Sequence, residues 1–305
     1  MPFRKLGDEH GLSGKQVFLK VKADLAVLPQ NFLLTQTLCD SSRFCGLLIM
    51  DGKYVAVKGY EAKIPFLYGI DYLTHDIPYG NLFVTEDEAS FYQFFQKLRE
   101  LNYPLRAVIA DDRKGLKRAL SQVFPYARLQ LCHTHYVENI RRLLNIRTDD
   151  KYHHFFNSLR SRVFLAQGME QVRAGLMQVY LKRAKKNRLL QNIVRVINER
   201  KEDLFAYLDI PNCPNSTNLI ELYNSHLQGR LKTIKGFESF VSARIWLNAY
   251  VIRRRTKPLT DCKAKFKHLN KHASLELTIK KQARWPDTLT SLGIKKIKYF
   301  EVKKN

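Results

Sequence analysis

The stretch Phe44-Cys45-Gly46-Leu47-Leu48-Ile49-Met50-Asp51-Gly52-Lys53-Tyr54 decides how the rest of the chain is read. Residues 44–50 form a nearly continuous apolar run, the pattern of a buried strand, and the run ends on an acidic residue. Residues 54–58 and 64–73 follow, with β-branched and aromatic content and short turn-rich gaps, so three adjacent strands are predicted. Residues 86–101 then carry Phe91, Phe94, Phe95 and Leu98 at helical spacing. Residues 107–110 read as a short buried strand ending at Asp111, and 115–123 as a helix stopped by Pro125. A fifth strand over 128–131 runs into Cys132, and a further helix occupies 136–144. The order β-β-β-α-β-α-β-α predicts an α/β domain.

Around this core the texture is helical. Residues 1–40 suggest a helix, a Gly turn and a second helix capped by Ser13, a partial helix-turn-helix-like segment in which Lys15 and Gln16 would face a major groove. An ordinary helical hairpin fits the same residues. Residues 141–213 form a helical insertion, with apolar stripes at Val172, Leu176, Val179, Tyr180 and at Leu190, Ile193, Val194, Ile197. Pro211 and Pro214 mark a break, after which 214–256 return to the core as two helices. Ile245, Trp246 and Tyr250 are expected to pack the last of these. The remainder, 257–305, carries 13 Lys/Arg against 4 Asp/Glu with little periodicity and reads as a loosely ordered basic tail.

Charge points to the partner. Over 305 residues, 52 Lys/Arg face 28 Asp/Glu, a net charge of +24, and such a field favours the DNA backbone. Hydrophobic residues make up 45%, which excludes general disorder. No apolar run is long enough to span a membrane, and charged residues recur through the first 25 positions where a signal peptide would be apolar. A cytoplasmic, nucleoid-associated location is expected. Five scattered cysteines are expected to stay reduced.

Three carboxylates are candidates for the chemistry: Asp51 and Asp111 at predicted strand ends, and Glu221 in the first turn of a late helix. Carboxylates carried by two strands and a helix can converge on one point, and hard cations such as Mg²⁺ take oxygen ligands of this kind. Two such ions can activate an attacking oxygen and stabilise a leaving one in phosphoryl transfer. Each residue also has a plainer reading. Asp51-Gly52 could be a hairpin turn, Asp111 a helix cap, and Asn218 with Glu221 a capping-box pair.

Four ordered blocks resemble the catalytic core of Mutator-like bacterial insertion-sequence transposases, within the ribonuclease H-like Asp-Asp-Glu recombinases. Met50-Asp51-Gly52-Lys53-Tyr54 is similar to the first acidic motif, and Ile109-Ala110-Asp111-Asp112-Arg113-Lys114-Gly115 to the second. Leu131-Cys132-His133-Thr134-His135-Tyr136-Val137-Glu138-Asn139 resembles the Cys-x2-His signature, and Ser216-Thr217-Asn218-Leu219-Ile220-Glu221 through Gly236-Phe237 the Glu-bearing block. The likeness covers roughly residues 44–256. Asp112 stands where the family usually has Gly, Gln228 where it often has Arg or Lys, and Glu138 where Arg is usual. The N-terminal portion is shorter than is usual and has no zinc-ribbon cysteine pairs.

The resemblance implies a ribonuclease H-like mixed five-stranded sheet with flanking helices, residues 41–140 and 214–256 forming the core. It implies a transposase that cleaves transposon ends and transfers the 3′-hydroxyl into target DNA, with Asp51, Asp111 and Glu221 holding two Mg²⁺ or Mn²⁺ ions. Its partners would be terminal inverted repeats, target DNA and at least one further copy of the chain. Arg230, Lys232, Arg253, Arg254 and Arg255 are the expected phosphate contacts, while Cys132, His135, Asn139 and Asn218 would support the site. Cys132 and His135 are half a zinc site to which His133 or Cys213 could add, but no second pair has fitting spacing, so zinc is not expected. The alternatives are a ribonuclease H-like nuclease that cuts without joining and a non-catalytic DNA-binding relative.

Overall fold

The computed structural model describes residues 3–281, and its centre is one mixed five-stranded sheet. Leu47–Val55 (β1), Ile64–Asp71 (β2), Tyr79–Leu82 (β3), Ala107–Ala110 (β4) and Arg128–Leu131 (β5) lie in the order β3-β2-β1-β4-β5. The first three run antiparallel as a meander; β4 and β5 are parallel to β1 and to each other. Two expectations change. The predicted strands 44–50 and 54–58 are one strand, because Asp51 and Gly52 pair with Tyr68 and Leu67 inside a continuous ladder instead of turning. The third strand is Tyr79–Leu82, a four-residue piece containing Gly80 that is too short for a strand pattern to declare itself.

Period-two alternation sorts the sheet into two faces. Leu47 and Ile49 of β1, Phe66 and Tyr68 of β2, and Ala107 and Ile109 of β4 point to one side, where they meet Ile220, Tyr223 and Leu227 of Asn218–Leu231 (α11) and Ala243, Leu247 and Val251 of Phe240–Thr256 (α12). Leu48, Met50, Val108 and Ala110 point to the other, against Glu88–Glu100 (α4) and Leu116–Val123 (α5). Asp87 starts α4 by accepting from Ser90 N at 2.9 Å. At the end of β1, Lys58 N donates to Phe237 O and Phe237 N to Ala56 O, which ties the α11–α12 turn to the sheet.

His133–Leu143 (α6) follows β5 and leads into the helical insertion, His153–Leu159 (α7), Met169–Val179 (α8), Arg188–Glu199 (α9) and Lys201–Leu204 (α10); α7 and α8 each run on into a π turn. Gln130, fully buried on β5, anchors this insertion by donating to Leu204 O and accepting from Tyr207 N. At the N-terminus Phe3–His10 (α1) and Gly14–Ala26 (α2) form a hairpin, and Ser13 caps α2 in a reciprocal box with Gln16. Asn31–Leu38 (α3) then packs on the sheet beside β3. No described helix is long and apolar enough to cross a membrane.

Two corrections come from the C-terminal side. Residues 257–281 are not a loose extension. Leu259, Leu269, Leu275 and Ile279 are buried, Ser274–Thr278 (α13) packs on α12, and Asp40 N and Lys280 N exchange backbone hydrogen bonds with Thr278 O and Leu38 O. The part of the tail reading that covers 282–305 lies outside the described residues. Arg255 is not available to phosphates either: it is 0% exposed. Its Nε and Nη2 donate to the two carboxylate oxygens of Asp76 at 2.8 and 2.7 Å, Nη1 donates to Asn31 Oδ1 and Thr35 Oγ1, and Nη2 reaches Cys39 Sγ. Asp76 also accepts from Ser274 and Thr278. A fully buried guanidinium needs every donor satisfied, and here all five are. Arg255→Met should leave Asp76 an uncompensated buried charge and lower stability by about 3–5 kcal/mol, read by urea unfolding. Arg253→Met on the exposed side of the same turn should change it by less than about 0.5 kcal/mol.

Candidate active site

Alternation and register place the acidic residues. Ile49 pairs with Ile109 in the parallel β1–β4 ladder, so Asp51 and Asp111, each two residues on, stand level. Both continue the row that faces α11. Asp51 therefore sits in mid-strand, and not at a strand end as the sequence suggests. Its Oδ1 accepts from Gly52 N at 2.8 Å and its Oδ2 from Asn224 Nδ2 of α11 at 2.6 Å. Asn224 is itself fixed by the Tyr68 hydroxyl at 2.8 Å.

Asp111 follows β4 directly and caps no helix, because α5 begins five residues later with Gly115 at its N-cap. Gly115 has φ +83°, and a Cβ there would stand 2.6 Å from Glu88 Cβ, so glycine is required for the turn. The adjacent Asp112 points away, its carboxylate held by both Nη groups of Arg200, one at 2.6 Å.

The Cys-x2-His segment joins the group for a local reason. Ala110 pairs with Leu131, which sets Cys132 across from Asp111, and His135 lies one helical turn further on the same side of α6. His135 Nδ1 is 2.7 Å from Asp111 Oδ1, 3.3 Å from Cys132 Sγ and 3.8 Å from Glu221 Oε1. Thr217, buried just before α11, donates from its hydroxyl to Glu221 Oε1 at 3.2 Å, so the expected capping box between Asn218 and Glu221 does not form. The Glu221 side chain remains 44% exposed.

Burial, and repulsion from Asp111 and Glu86, raise the Asp51 carboxyl to about 6, against the opposing Gly52 hydrogen bond and the more distant Arg113 cation. Asp111 is raised too, chiefly by burial and also by Glu221 and Glu86, with His135 and Arg113 pulling the other way. Glu86 was not legible from sequence. Its side chain is 8% exposed and is bracketed by the Tyr54 hydroxyl and, at 3.6 Å, by Arg113 Nε. Asn224 and Thr217 were missed as well, although spacings of three and four from Glu221 put them on its helical face.

The remaining expected residues are dispersed. Lys15 and Gln16 are exposed on α2, but the Gln16 carbonyl oxygen is engaged by Ser13, so a base contact would have to use its amide nitrogen. Arg230 and Lys232 are exposed at the end of α11, and Arg253 on α12. Arg254 is half-buried with its guanidinium 4.5 Å from the Tyr223 ring centre. Trp246 stacks on Tyr250 at 5.9 Å against the α11–α12 core. Asn139 is exposed on α6, and Asn218 accepts from Thr134 at 3.5 Å across to α6. Glu138 takes Arg141 and Arg142 of its own helix and Arg147 of the turn beyond, which accounts for an acid at that position. His133 is not part of the group of Asp111, Cys132 and His135: its ring is enclosed by Phe164, Phe205 and Tyr207 and contacts Leu204 O, and burial lowers its pKa to about 4.

Residues 80–254 match the family described as "Transposase, Mutator family". The chain is 27% identical over 180 residues to the transposases for insertion sequence element IS256 in transposon Tn4001 of Staphylococcus aureus and of Enterococcus faecalis. The shared segment covers 55% of this chain and 43% of each relative, so the chain spans under half the length of those proteins.

The raised Asp51 carboxyl has a measurable cost. A folded-state value of about 6 against an ordinary 3.8 makes Asp51 favour folding when protonated, and that support is lost as pH climbs from about 4 through 6. Asp51→Asn should therefore stabilise the protein, stripped of divalent ions by a chelator, by about 3 kcal/mol at pH 7. The advantage should vanish near pH 4, as read by denaturant unfolding at both pH values.

Proposed function

The chain belongs to the Mutator family of transposases, and from that membership we propose that it cleaves DNA at transposon ends and joins the freed 3′-hydroxyl to target DNA. The observation that carries this reading is the level placement of Asp51 and Asp111 on adjacent parallel strands, facing the helix that bears Glu221. The antiparallel meander extended by two parallel strands supports a ribonuclease H-like core, with residues 1–40 as the DNA-reading segment and 141–213 as an insertion.

The donor set fits divalent cations. Asp111 raises the proton affinity of Asp51, and Glu221 that of Asp111, and a cation among these carboxylates would relieve that repulsion. Asp51, Asp111 and Glu221 would hold Mg²⁺ or Mn²⁺, which supplies charge stabilisation at the transferring phosphate. The chain's own groups then orient the ligands. Asn224 fixes the rotamer of Asp51 and Thr217 can fix that of Glu221, while His135 Nδ1 lies 2.7 Å from Asp111 Oδ1. Arg230, Lys232, Arg253 and, in part, Arg254 are exposed and would hold phosphates of duplex DNA, as inverted repeat or as target. Transfer of two ends needs at least two copies, and a protein of charge +24 would act at the nucleoid.

Asp51→Asn and Glu221→Gln should each lower Mg²⁺-dependent end cleavage and strand transfer by on the order of 10³-fold while leaving duplex affinity within about threefold. Cleavage that persists in either variant would sink the assignment, and cleavage without strand transfer in the parent would make the chain a nuclease. In the parent, log affinity should fall with log salt at about −0.9 per phosphate contact, and removing residues 282–305 should flatten that slope without changing sequence preference.

A further inference from the structure

We propose that Asp111, Cys132 and His135 form a site for one zinc-class divalent ion, chemically distinct from the hard-cation site with which it shares Asp111. One ligand atom from each, a carboxylate oxygen, Sγ and an imidazole nitrogen, lie within 4.8 Å of one another. Thiolate and imidazole select zinc and its neighbours over magnesium, whose ligands are oxygen.

The surroundings are those of a ligand set. Cys132 is 1% exposed, and its sulfur accepts from the Thr217 backbone N–H at 3.3 Å, with the Thr217 hydroxyl at 3.2 Å free to turn its one proton either to that sulfur or to Glu221 Oε1. Donors aimed at sulfur in this way orient a metal-bound thiolate and offset its charge. Asp111 and His135 are partly open, with side-chain exposures of 21% and 42%, so an ion has a route in from solvent. Zinc bonds of about 2.0–2.3 Å at tetrahedral angles would need the present contacts of His135 Nδ1 with Asp111 and Cys132 to open by about half an ångström. A rotation of the half-exposed imidazole supplies that. Three protein ligands leave a fourth position, and Glu221 Oε1, 3.8 Å from the same nitrogen, is the nearest carboxylate to fill it.

Binding involves no redox change. The Cys132 thiol releases its proton to solvent, and His135 bonds through Nδ1 with its proton on Nε2. Because the ion would take Asp111, it would compete with the hard cations for the cleavage site. That consequence rests on the function proposed above, whereas the binding itself does not.

Co²⁺ is the probe, added to the chelator-stripped full chain. One equivalent should bind with a thiolate-to-cobalt absorption in the near ultraviolet, and Zn²⁺ should bleach it where excess Mg²⁺ does not. Cys132→Ser should remove the absorption, and His135→Ala should weaken binding at least about 10-fold, in proteins whose circular dichroism matches the parent. Cys213→Ser should change nothing. An absorption that survives Cys132→Ser, or disappears in Cys213→Ser, overturns the site, as does one equivalent bound without it. Asp51→Asn separates the two proposals. Cobalt bound normally while this variant still cleaves DNA would overturn the function and leave the site standing; cleavage lost with no cobalt absorption in the parent would do the reverse.

Discussion

The parallel pairing of β1 with β4 governs the rest of the molecule. Side chains alternate with a period of two, so a slip of one residue in that ladder would turn Asp111 away from α11 and bring Asp112 in. Leu47, Ile49, Ala107 and Ile109 on one face, and Leu48, Met50, Val108 and Ala110 on the other, are all buried, so a slip would have to re-sort two cores at once. Packing that has nothing to do with chemistry thus fixes which carboxylate faces the site. The ion pair of Asp112 with Arg200 reinforces the choice from the far side, because it gives the unused acid a partner on the insertion.

The support around the acids comes from elements far apart in the chain. α11 contributes Glu221 and Asn224, α6 contributes His135, and the segment before α11 contributes Thr217. Each reaches its acid through one short side chain, which leaves little slack in orientation. The helical insertion lies outside this set, yet it is tied to β5 through Gln130 and to Asp112 through Arg200. It therefore buttresses the edge of the sheet from which α6 departs.

Much of this was legible from local pattern. The apolar run ending at Asp51, the short strand before Asp111 and the helical stripes of the insertion follow burial and period, which a single sequence displays. What failed did so for physical reasons. Asp51-Gly52 has the chemistry of a turn, but eight paired positions between β1 and β2 override that preference. Arg255 closes a run of three arginines at a helix end, where a cation is ordinarily solvent-facing or phosphate-facing. Its partner Asp76 lies 179 residues earlier, and nothing in either neighbourhood announces the other. Glu86, in the loop before α4, was hidden likewise, since its effect comes from proximity to Asp51 and Asp111.

The Arg255 network also orders events in time. Asn31, Thr35 and Asp76 leave the ribosome well before Arg255, and Ser274 and Thr278 come later still. At about 5–20 residues per second the wait between Asp76 and Arg255 is on the order of ten seconds or more. Throughout that interval the carboxylate of Asp76 must stay hydrated, so the junction of α3 with the β2–β3 loop cannot dehydrate and lock. Glu221, too, is synthesised late. A nascent chain therefore holds the strands bearing Asp51 and Asp111 without the cation that seals their scaffold or the helix that carries Glu221.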